Sequence, residues 1–462
     1  MGNTERQSER STEVFGDLLY SARDSKDRAI KSLGIAALAS LFAFRKGHRA
    51  LPITVASVFG ATALVNHLES KEKQKASRSL KTPVSHSEKP QLEIPLSHEQ
   101  VSDEFTLETS EEFITDIISS IEHAKDRVWL EFRQFESGQV MSTLVEALIR
   151  AKERGVDVNF HLDSYAKYFT RVGNRDVWRY SQILRNPKEP ETGLDERVLK
   201  QKNRFLTEFD IEKLLAAGIV VFSKATGRQK YIPFSGGGNH RKYVIVDETA
   251  WLGTTELTDS DISGMDNFML KTQSVRFVSI LGDIFTNPPQ QDATYRSSKE
   301  QETDRIDWEL LVDSGKPHSS IIYKRALEMI ENAQEKIEFV TQYWPEGDLE
   351  QVLIEKAKAG VDVRIIMQSI GDHRIWRLPF LLRFLQFITQ QPKGSNSLGM
   401  RVELPSNPTH AKGLVVDGKS ALFGSNNLFE PTLITGVKEI SIFTENPELV
   451  TQIEERIFNH TK

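Results

Sequence analysis

Apolar residues near the amino terminus are concentrated in two short runs, at residues 33–44 (LGIAALASLFAF) and 51–65 (LPITVASVFGATALV). Each run is shorter than the roughly 20 residues that a membrane-spanning helix needs. Neither run contains a charged residue, and we therefore predict membrane-associating helices over residues 29–66 in preference to a buried helical pair. A membrane hairpin and a single tilted, interrupted span are both compatible with this pattern.

Polar segments flank the predicted helices on both sides. Residues 1–28 form a polar amino terminus, and residues 67–104 are rich in Lys, Glu, Ser and Pro with few apolar positions. A segment of this composition cannot bury enough apolar surface to fold by itself. We therefore predict a flexible linker over residues 67–104.

From about residue 105 the chain repeats one pattern of apolar and polar positions. Residues 121–128 (IEHAKDRV) match 330–337 (IENAQEKI), and residues 148–158 (LIRAKERGVDV) match 353–363 (LIEKAKAGVDV). Both copies predict an amphipathic helix, an apolar strand, a second helix that ends at a glycine, and another strand.

Helices that alternate with apolar strands are typical of an α/β fold. We predict two similar α/β lobes, at residues 105–305 and 306–462, packed as a pseudo-twofold dimer. They follow the amino-terminal apolar helices along the chain. The first lobe carries an insertion at about residues 164–235 that has no counterpart of equal length in the second.

Composition narrows the function without identifying it. The length of 462 residues suits two core-bearing units, and the net charge of −6 argues against a protein that coats nucleic acid electrostatically. The chain has no cysteine, which excludes a disulfide scaffold, a thiol nucleophile and any metal site built on thiolates.

A polar motif occurs once in each predicted lobe. The first copy begins His240-Arg-Lys242 and the second His410-Ala-Lys412, and each is followed by an apolar run and then an aspartate, Asp247 or Asp417. Strand periodicity places each His and Lys on one face of a strand. The glycine-rich residues 235–239 predict a flexible loop in front of the first strand, where a ligand could approach the backbone closely.

The two motifs together suit the chemistry of a phosphodiester. One neutral His can attack phosphorus while the other, protonated, gives a proton to the leaving alkoxide. The two Lys would bind the non-bridging oxygens, and Ser425 and Asn427 could donate further hydrogen bonds to the phosphoryl group. This chemistry requires no metal and no cofactor. Which of His240 and His410 attacks is left open by the sequence.

The doubled motif resembles the signature of the phospholipase D superfamily, H-x-K-x4-D-x6-G-S-x-N. The second copy matches throughout, with Gly424, Ser425 and Asn427 at the closing positions. The first copy departs after Asp247, because its glycine comes one residue early and Thr254 and Glu256 replace the Ser and the Asn.

The resemblance implies metal-independent catalysis through a phosphohistidine, with the paired His as nucleophile and general acid. It also implies a carboxylate that orients the His ring. Glu439, 29 residues after His410, matches that position in the second half, and Asp266 is the candidate in the first. Glu256 would meet a substrate hydroxyl or a neighbouring Lys.

Three features favour a phospholipid substrate at a membrane surface. They are the apolar residues 29–66, a resemblance to bacterial cardiolipin synthases in arrangement and in the NHRK sequence at residues 239–242, and the segment 374–388 (RIWRLPFLLRFLQFI). Trp376 between Arg374 and Arg377 is typical of an interfacial anchor, although a core helix fits the apolar pattern of this segment equally well.

These observations lead to one expectation and two alternatives. We expect a membrane-associated enzyme, with its lobes in the aqueous phase, that cleaves or transfers phospholipid phosphodiesters, and transfer is favoured over hydrolysis. A nuclease of the same superfamily would need a basic cleft, for which Lys200, Lys202 and Arg204 are the local candidates. A catalytically impaired scaffold is the other alternative, which both retained His-x-Lys pairs oppose. Oligomeric state is left open.

Overall fold

Part of the chain is described by the structure, a computed structural model. The described residues are 104–136, 138–163, 210–223, 238–297, 306–345, 347–368, 399–403, 405, 407, 409–429, 433 and 436–458. The predicted polar amino terminus, apolar helices and linker, most of the insertion at 164–235 and the segment 374–388 lie outside them. Within the described ranges no helix is both long enough and apolar enough to cross a membrane.

The described residues form a mixed α/β structure with eight α-helices. In chain order these are α1 Ser110–His123, α2 Gln139–Glu153, α3 Asp210–Ala216, α4 Asp259–Ser263, α5 Val275–Thr286, α6 Ile321–Asn332, α7 Asp348–Lys358 and α8 Pro447–Ile453, the last followed by a π-helical turn at Glu454–Phe458. The α/β prediction is confirmed at this level.

The first sheet has seven strands in the order β1-β8-β7-β6-β2-β3-β4. Their bounds are β1 Phe105–Thr109, β2 Arg127–Phe132, β3 Asp157–Leu162, β4 Val220–Phe222, β6 Tyr243–Val246, β7 Thr249–Gly253 and β8 Phe268–Thr272. Strands β2, β3 and β4 run parallel, and the other pairs are antiparallel.

The second sheet has eight strands in the order β13-β12-β11-β14-β15-β17-β10-β9. Their bounds are β9 Ala293–Arg296, β10 Glu309–Val312, β11 Lys336–Thr341, β12 Asp362–Met367, β13 Met400–Glu403, β14 Gly413–Val416, β15 Ser420–Gly424 and β17 Ile440–Thr444. Apart from β9, each strand has a counterpart at the same place in the first sheet. Strand β9 precedes the predicted lobe boundary at 305/306 but pairs with β10 of the second sheet.

Local sequence explains why the repeated elements form. Helix α1 begins at a capping box, in which the Thr109 side chain accepts from the Glu112 N–H and the Glu112 carboxylate accepts from the Thr109 N–H. Helices α2 and α7 are each followed by a glycine with positive φ, Gly155 at 89° and Gly360 at 96°, which turns the chain into the next strand. The repeated helix–strand–helix–glycine–strand pattern is therefore present in both halves.

One hydrophobic core is built from both sheets. It includes Tyr243, Ile245 and Leu252 of the first sheet and Val415 and Phe423 of the second, all of them buried. Burial of apolar surface is the main favourable contribution to folding, so this core holds β6 and β14 in one compact body. The residues that precede these two strands are thereby brought near each other.

Candidate active site

Both His-x-Lys pairs lie directly before a strand and not on one. Residues His240 to Lys242 lead into β6, and residues His410 to Lys412 lead into β14. The apolar strands behind them are wholly buried, and all four polar side chains are buried as well, with Lys242 at 0% and His410 at 7% exposure. The sequence predicts each pair on one face of a strand, whereas the structure places it just before the strand begins.

Backbone pairing between the two halves brings each motif to the other half's sheet. Strand β5, Gly238–Asn239, pairs in parallel with β16, Val437–Lys438, and the His240 N–H donates to the carbonyl oxygen of Lys438 at 2.8 Å. These two described residues of the predicted glycine-rich loop thus form a strand. In the same way the His410 N–H donates to the carbonyl oxygen of Asp266 at 3.0 Å. Each His therefore lies beside the residue that follows its backbone partner.

For His240 that residue is Glu439. The His240 Nδ1 atom lies 2.9 and 3.1 Å from the two carboxylate oxygens, and the Ser425 hydroxyl donates to the same carboxylate. Burial raises the pKa of Glu439 to about 8, although Lys242 and the Ser425 hydrogen bond act in the opposite direction. Burial, followed by the charges of Lys242 and Arg133, holds the pKa of His240 well below its usual value.

For His410 the corresponding residue is Asn267. The His410 Nδ1 atom lies 3.1 Å from Asn267 Oδ1 and 3.4 Å from an oxygen of Asp261. The Thr254 hydroxyl donates to Asn267, as Ser425 does to Glu439, so Asn267 occupies in the first sheet the place that Glu439 has in the second. Asp266, the candidate from the sequence, instead contributes its backbone carbonyl to His410 and accepts from the Asn407 side chain.

Glu256 pairs with Lys242. Its Oε1 atom lies 3.0 Å from Lys242 Nζ and 3.9 Å from His240 Nε2, while its other oxygen accepts from the Gln134 N–H at 3.0 Å. The carboxylate therefore offsets the charge of Lys242.

The two lysines are close enough to influence each other. Burial and then the charge of Lys242 hold the pKa of Lys412 well below its usual value, whereas Glu256 and Asp261 act to raise it. Both Lys also donate to the carbonyl oxygen of the His two residues earlier. Such a concentration of buried charge is typical of a functional site.

A shorter hairpin turn explains why the first glycine comes early. Two residues separate β6 from β7, whereas three separate β14 from β15. Gly253 and Gly424 then occupy equivalent places, because a Cβ on either would collide with the carbonyl oxygen of the neighbouring strand, at Phe268 or Ile440. Counted from these glycines, Thr254 corresponds to Ser425 and Glu256 to Asn427.

Two of the three predicted substrate contacts, Glu256 and Ser425, have protein partners. The Ser425 hydroxyl donates to Glu439 and to the Ile440 carbonyl, so it positions the carboxylate instead of pointing to a ligand. The side-chain oxygen of the third, Asn427, is buried and has no hydrogen-bond partner among the described residues.

The structure does not bring the motif aspartates into this cluster. Asp247 lies five residues beyond Lys242, about 16 Å along an extended chain. Its carboxylate accepts from the N–H groups of Lys125, Asp126 and Arg127, and Asp417 accepts in the same way from residues 334–336. Both have positive φ, 50° and 54°, which Asp tolerates better than most residues. They anchor the hairpin turns.

Replacing Asp247 by Ala is expected to lower the free energy of unfolding by about 1–3 kcal/mol, because three backbone donors lose their acceptor. Although partial burial acts to raise it, those donors lower the pKa of Asp247 below 3.8. The stabilisation is therefore present above that unfolded-state value and is lost as the pH falls through the folded-state value. Urea unfolding between pH 7 and pH 3 measures this. The Asp247→Asn variant, which keeps one acceptor, should lose less, and an equal loss at every pH would contradict the assignment.

Three residues at this site were not predicted from the sequence: Asn267, Asp261 and Arg133. Asn267 directly precedes β8 as Glu439 directly precedes β17, and only alignment of these strands could have identified it. Asp261 comes from the short helix α4. Arg133 follows β2, and its charge acts on both His240 and Glu439.

The chain matches the family model described as "Cardiolipin synthase, PLD-like domain" over residues 117–287 and 326–461. Cardiolipin synthase A of Yersinia pseudotuberculosis serotype O:1b (strain IP 31758) and that of Yersinia pestis are each 23% identical over 359 residues. These matches cover 71% of this chain and 64% of each relative, which is less than two thirds of their length.

Among solved structures, the fold is similar to that of phosphatidylserine synthase from Haemophilus influenzae Rd KW20. The TM-score is 0.56 at 16% identity, and the match covers 78% of this chain and 86% of that one. At this identity the likeness concerns the fold alone.

Proposed function

Because the chain belongs to the family of the cardiolipin synthase PLD-like domain, we propose that it is a phosphatidyltransferase or phospholipid phosphodiesterase that works through a phosphohistidine. The proposal rests above all on the contact between His240 and Glu439, which are 199 positions apart. This contact joins a motif of the first half to the residue that precedes β17 in the second. It supports one shared site between two lobes related by a pseudo-twofold axis.

We assign the attack on phosphorus to His240. A carboxylate at Nδ1 favours the tautomer that carries its proton on Nδ1, which leaves the lone pair of Nε2 free. Once Nε2 bonds to phosphorus, the ring becomes cationic, and the carboxylate of Glu439 stabilises that charge. His410 is then left as the general acid that gives its proton to the leaving oxygen.

The proposed reaction has two balanced steps. His240 Nε2 forms a bond to phosphorus, the bond from phosphorus to the leaving oxygen breaks, and His410 transfers its proton to that oxygen. An acceptor alcohol or water then attacks phosphorus, its proton passes to His410, and the phosphorus–nitrogen bond breaks. Transfer and hydrolysis differ only in the acceptor.

The remaining polar groups fall into two proposed roles. Lys242, Lys412 and the side-chain NH2 group of Asn427 would bind the phosphoryl oxygens, where negative charge develops. Glu256 would contact the substrate on the side of the site that the first half forms. Because it pairs with Lys242, it weakens the attraction of the site for a second negative charge on the phosphate. A phosphodiester, with one negative charge, suits such a site better than a phosphomonoester.

A phospholipid is the proposed substrate on three grounds. These are the name of the matching family, the curated relatives named cardiolipin synthase A, and the predicted apolar helices at residues 29–66. We further propose that those helices and the segment 374–388 associate with a membrane surface. Transfer to a lipid alcohol is favoured over hydrolysis for the same reasons.

Product analysis on vesicles tests the proposal. The full chain would be incubated with phosphatidylglycerol-containing vesicles and, separately, with labelled single-stranded DNA, and His410→Ala would serve as the blank. We expect cardiolipin with glycerol release, and the protein should sediment with the vesicles. Phosphatidic acid in place of cardiolipin would replace transfer by hydrolysis. Cleaved DNA beside unchanged lipid would overturn the lipid assignment, and no product from either substrate would overturn the enzymatic proposal.

A further inference from the structure

The two imidazoles have unequal surroundings at Nδ1. The carboxylate of Glu439 contacts His240 directly, at 2.9 Å, whereas the nearest group to His410 is the amide oxygen of Asn267, at 3.1 Å. If the residue directly before β8 were the partner of His410 by itself, no negative charge would lie beside its Nδ1 atom. A protonated His410, enclosed with two lysines, would then be costly.

A carboxylate from a different element lies at this point. Asp261 belongs to α4, and its Oδ1 atom is 3.4 Å from His410 Nδ1. The same oxygen accepts from Asn267 Nδ2 at 3.1 Å, and Oδ2 accepts from the Thr258 hydroxyl at 2.7 Å. Asn267 thus faces His410 with its oxygen and Asp261 with its amino group. The carboxylate is 8% exposed and held by two side chains besides the imidazole.

Asp261 is ionised at neutral pH, although its surroundings raise its pKa. Burial and the neighbouring Glu256 raise the pKa of Asp261 to about 6, while Thr258, Lys412 and Lys242 act to lower it. His240, whose Nδ1 is occupied by Glu439, is a further titratable group whose electrostatics are coupled to His410. At pH 7 and above Asp261 therefore carries a negative charge within reach of His410.

We infer that Asp261 is the positioning carboxylate of His410: it holds the ring through Nδ1 and, together with Asn267, stabilises the imidazolium. The two halves of the site then have the same charge pattern by different means. In the second half the carboxylate comes from the residue before β17, and in the first half it comes from a helix that follows the motif. The role in proton transfer rests on the proposed function, whereas the contact with His410 does not.

The pKa of His410 in the full chain tests this inference without any need for activity. Histidine would be labelled with ¹⁵N, and the ring resonances of His410 and His240 would be assigned by His410→Asn and His240→Asn variants and followed from pH 5 to pH 9. We expect Asp261→Asn to lower the pKa of His410 by about 1 unit, as the loss of an opposite charge within 4–6 Å should. The pKa of His240, which has its own carboxylate, should change less.

Two further variants make the result decisive. Asp259→Asn is the matched control, since Asp259 lies on the same helix but accepts from the N–H groups at the start of α2. It should leave the pKa of His410 unchanged. The double variant Asp261→Asn with Asn267→Asp exchanges amide and carboxylate, and it should restore the wild-type pKa and recover any lost turnover.

The inference is overturned if Asp261→Asn shifts the pKa of His410 no more than Asp259→Asn does, or if the exchange variant fails to restore it. If Asp261→Asn lowers the pKa of His410 as expected but the wild-type protein makes no lipid product, the contact is established and the proposed function is refuted. Both results come from the same preparations.

Discussion

Replacing either His240 or His410 by Ala is expected to reduce kcat on phospholipid by at least about 10³-fold, because each ring takes part in a different bond-making or proton-transfer event. The two variants should differ on a substrate whose leaving group needs no proton, such as a p-nitrophenyl phosphodiester. His410→Ala should then release about one equivalent of nitrophenol and stop, since the phosphohistidine on His240 lacks its base for the second step. His240→Ala should give no burst.

Rapid-mixing absorbance and mass analysis of the peptide that contains residue 240 measure the two outcomes. His123→Ala serves as the matched control, because His123 is exposed at the end of α1 and its Nδ1 lies against the Ser119 carbonyl of the same helix. A burst in His240→Ala and none in His410→Ala would reverse the assigned roles. Full activity in either variant would refute the shared site.

Replacing Glu439 by Gln is expected to lower kcat by about 10²–10⁴-fold, in line with the loss of a carboxylate behind a catalytic His in other enzymes. The amide keeps the shape of the side chain but cannot stabilise the cationic phosphohistidine. Since burial raises the pKa of Glu439 to about 8, the carboxyl keeps its proton until the pH exceeds that value. Wild-type kcat/KM should therefore rise with pH and level off above about 8, and the variant should lose this rise.

The pH dependence of kcat/KM between pH 6 and pH 9.5 is the measurement. Glu108→Gln is the matched control: burial raises the pKa of Glu108 to about 7 as well, but this carboxylate accepts from Trp251 in the first sheet, away from both imidazoles. If kcat/KM of Glu439→Gln still rises with pH, or if Glu108→Gln also loses the rise, the pH dependence does not come from the Glu439–His240 contact.

Several features of the fold were predictable because they depend on neighbours along the chain. The glycines at 155 and 360 end their helices as the repeated pattern indicated, and the strands that follow them are present. Helix ends and strand burial depend on spacing within about ten residues, so periodicity contains the information. The His-x-Lys pairs were visible for the same reason, whereas Glu439 was named only through the resemblance to the phospholipase D superfamily.

The partners of these residues were not predictable from spacing. In the first half, Asp266 was the predicted carboxylate that orients a His ring. Its neighbour Asn267 and Asp261 of α4 face His410 instead. Ser425 looked like a ligand donor but is committed to Glu439. Asp247 belongs to the motif by sequence, and its hydrogen bonds place it in a turn.

Local order along the chain was enough to reveal the repeat, the α/β class and the two basic motifs, because each depends on residues that are close in sequence. Only the assembled sheets decided that His240 contacts Glu439 and His410 contacts Asn267 and Asp261. The parallel pairing of β5 with β16 joins segments about 200 positions apart, and such a register depends on which apolar faces bury each other. The sequence therefore identifies the two His-x-Lys pairs, and the tertiary structure decides which side chains contact them.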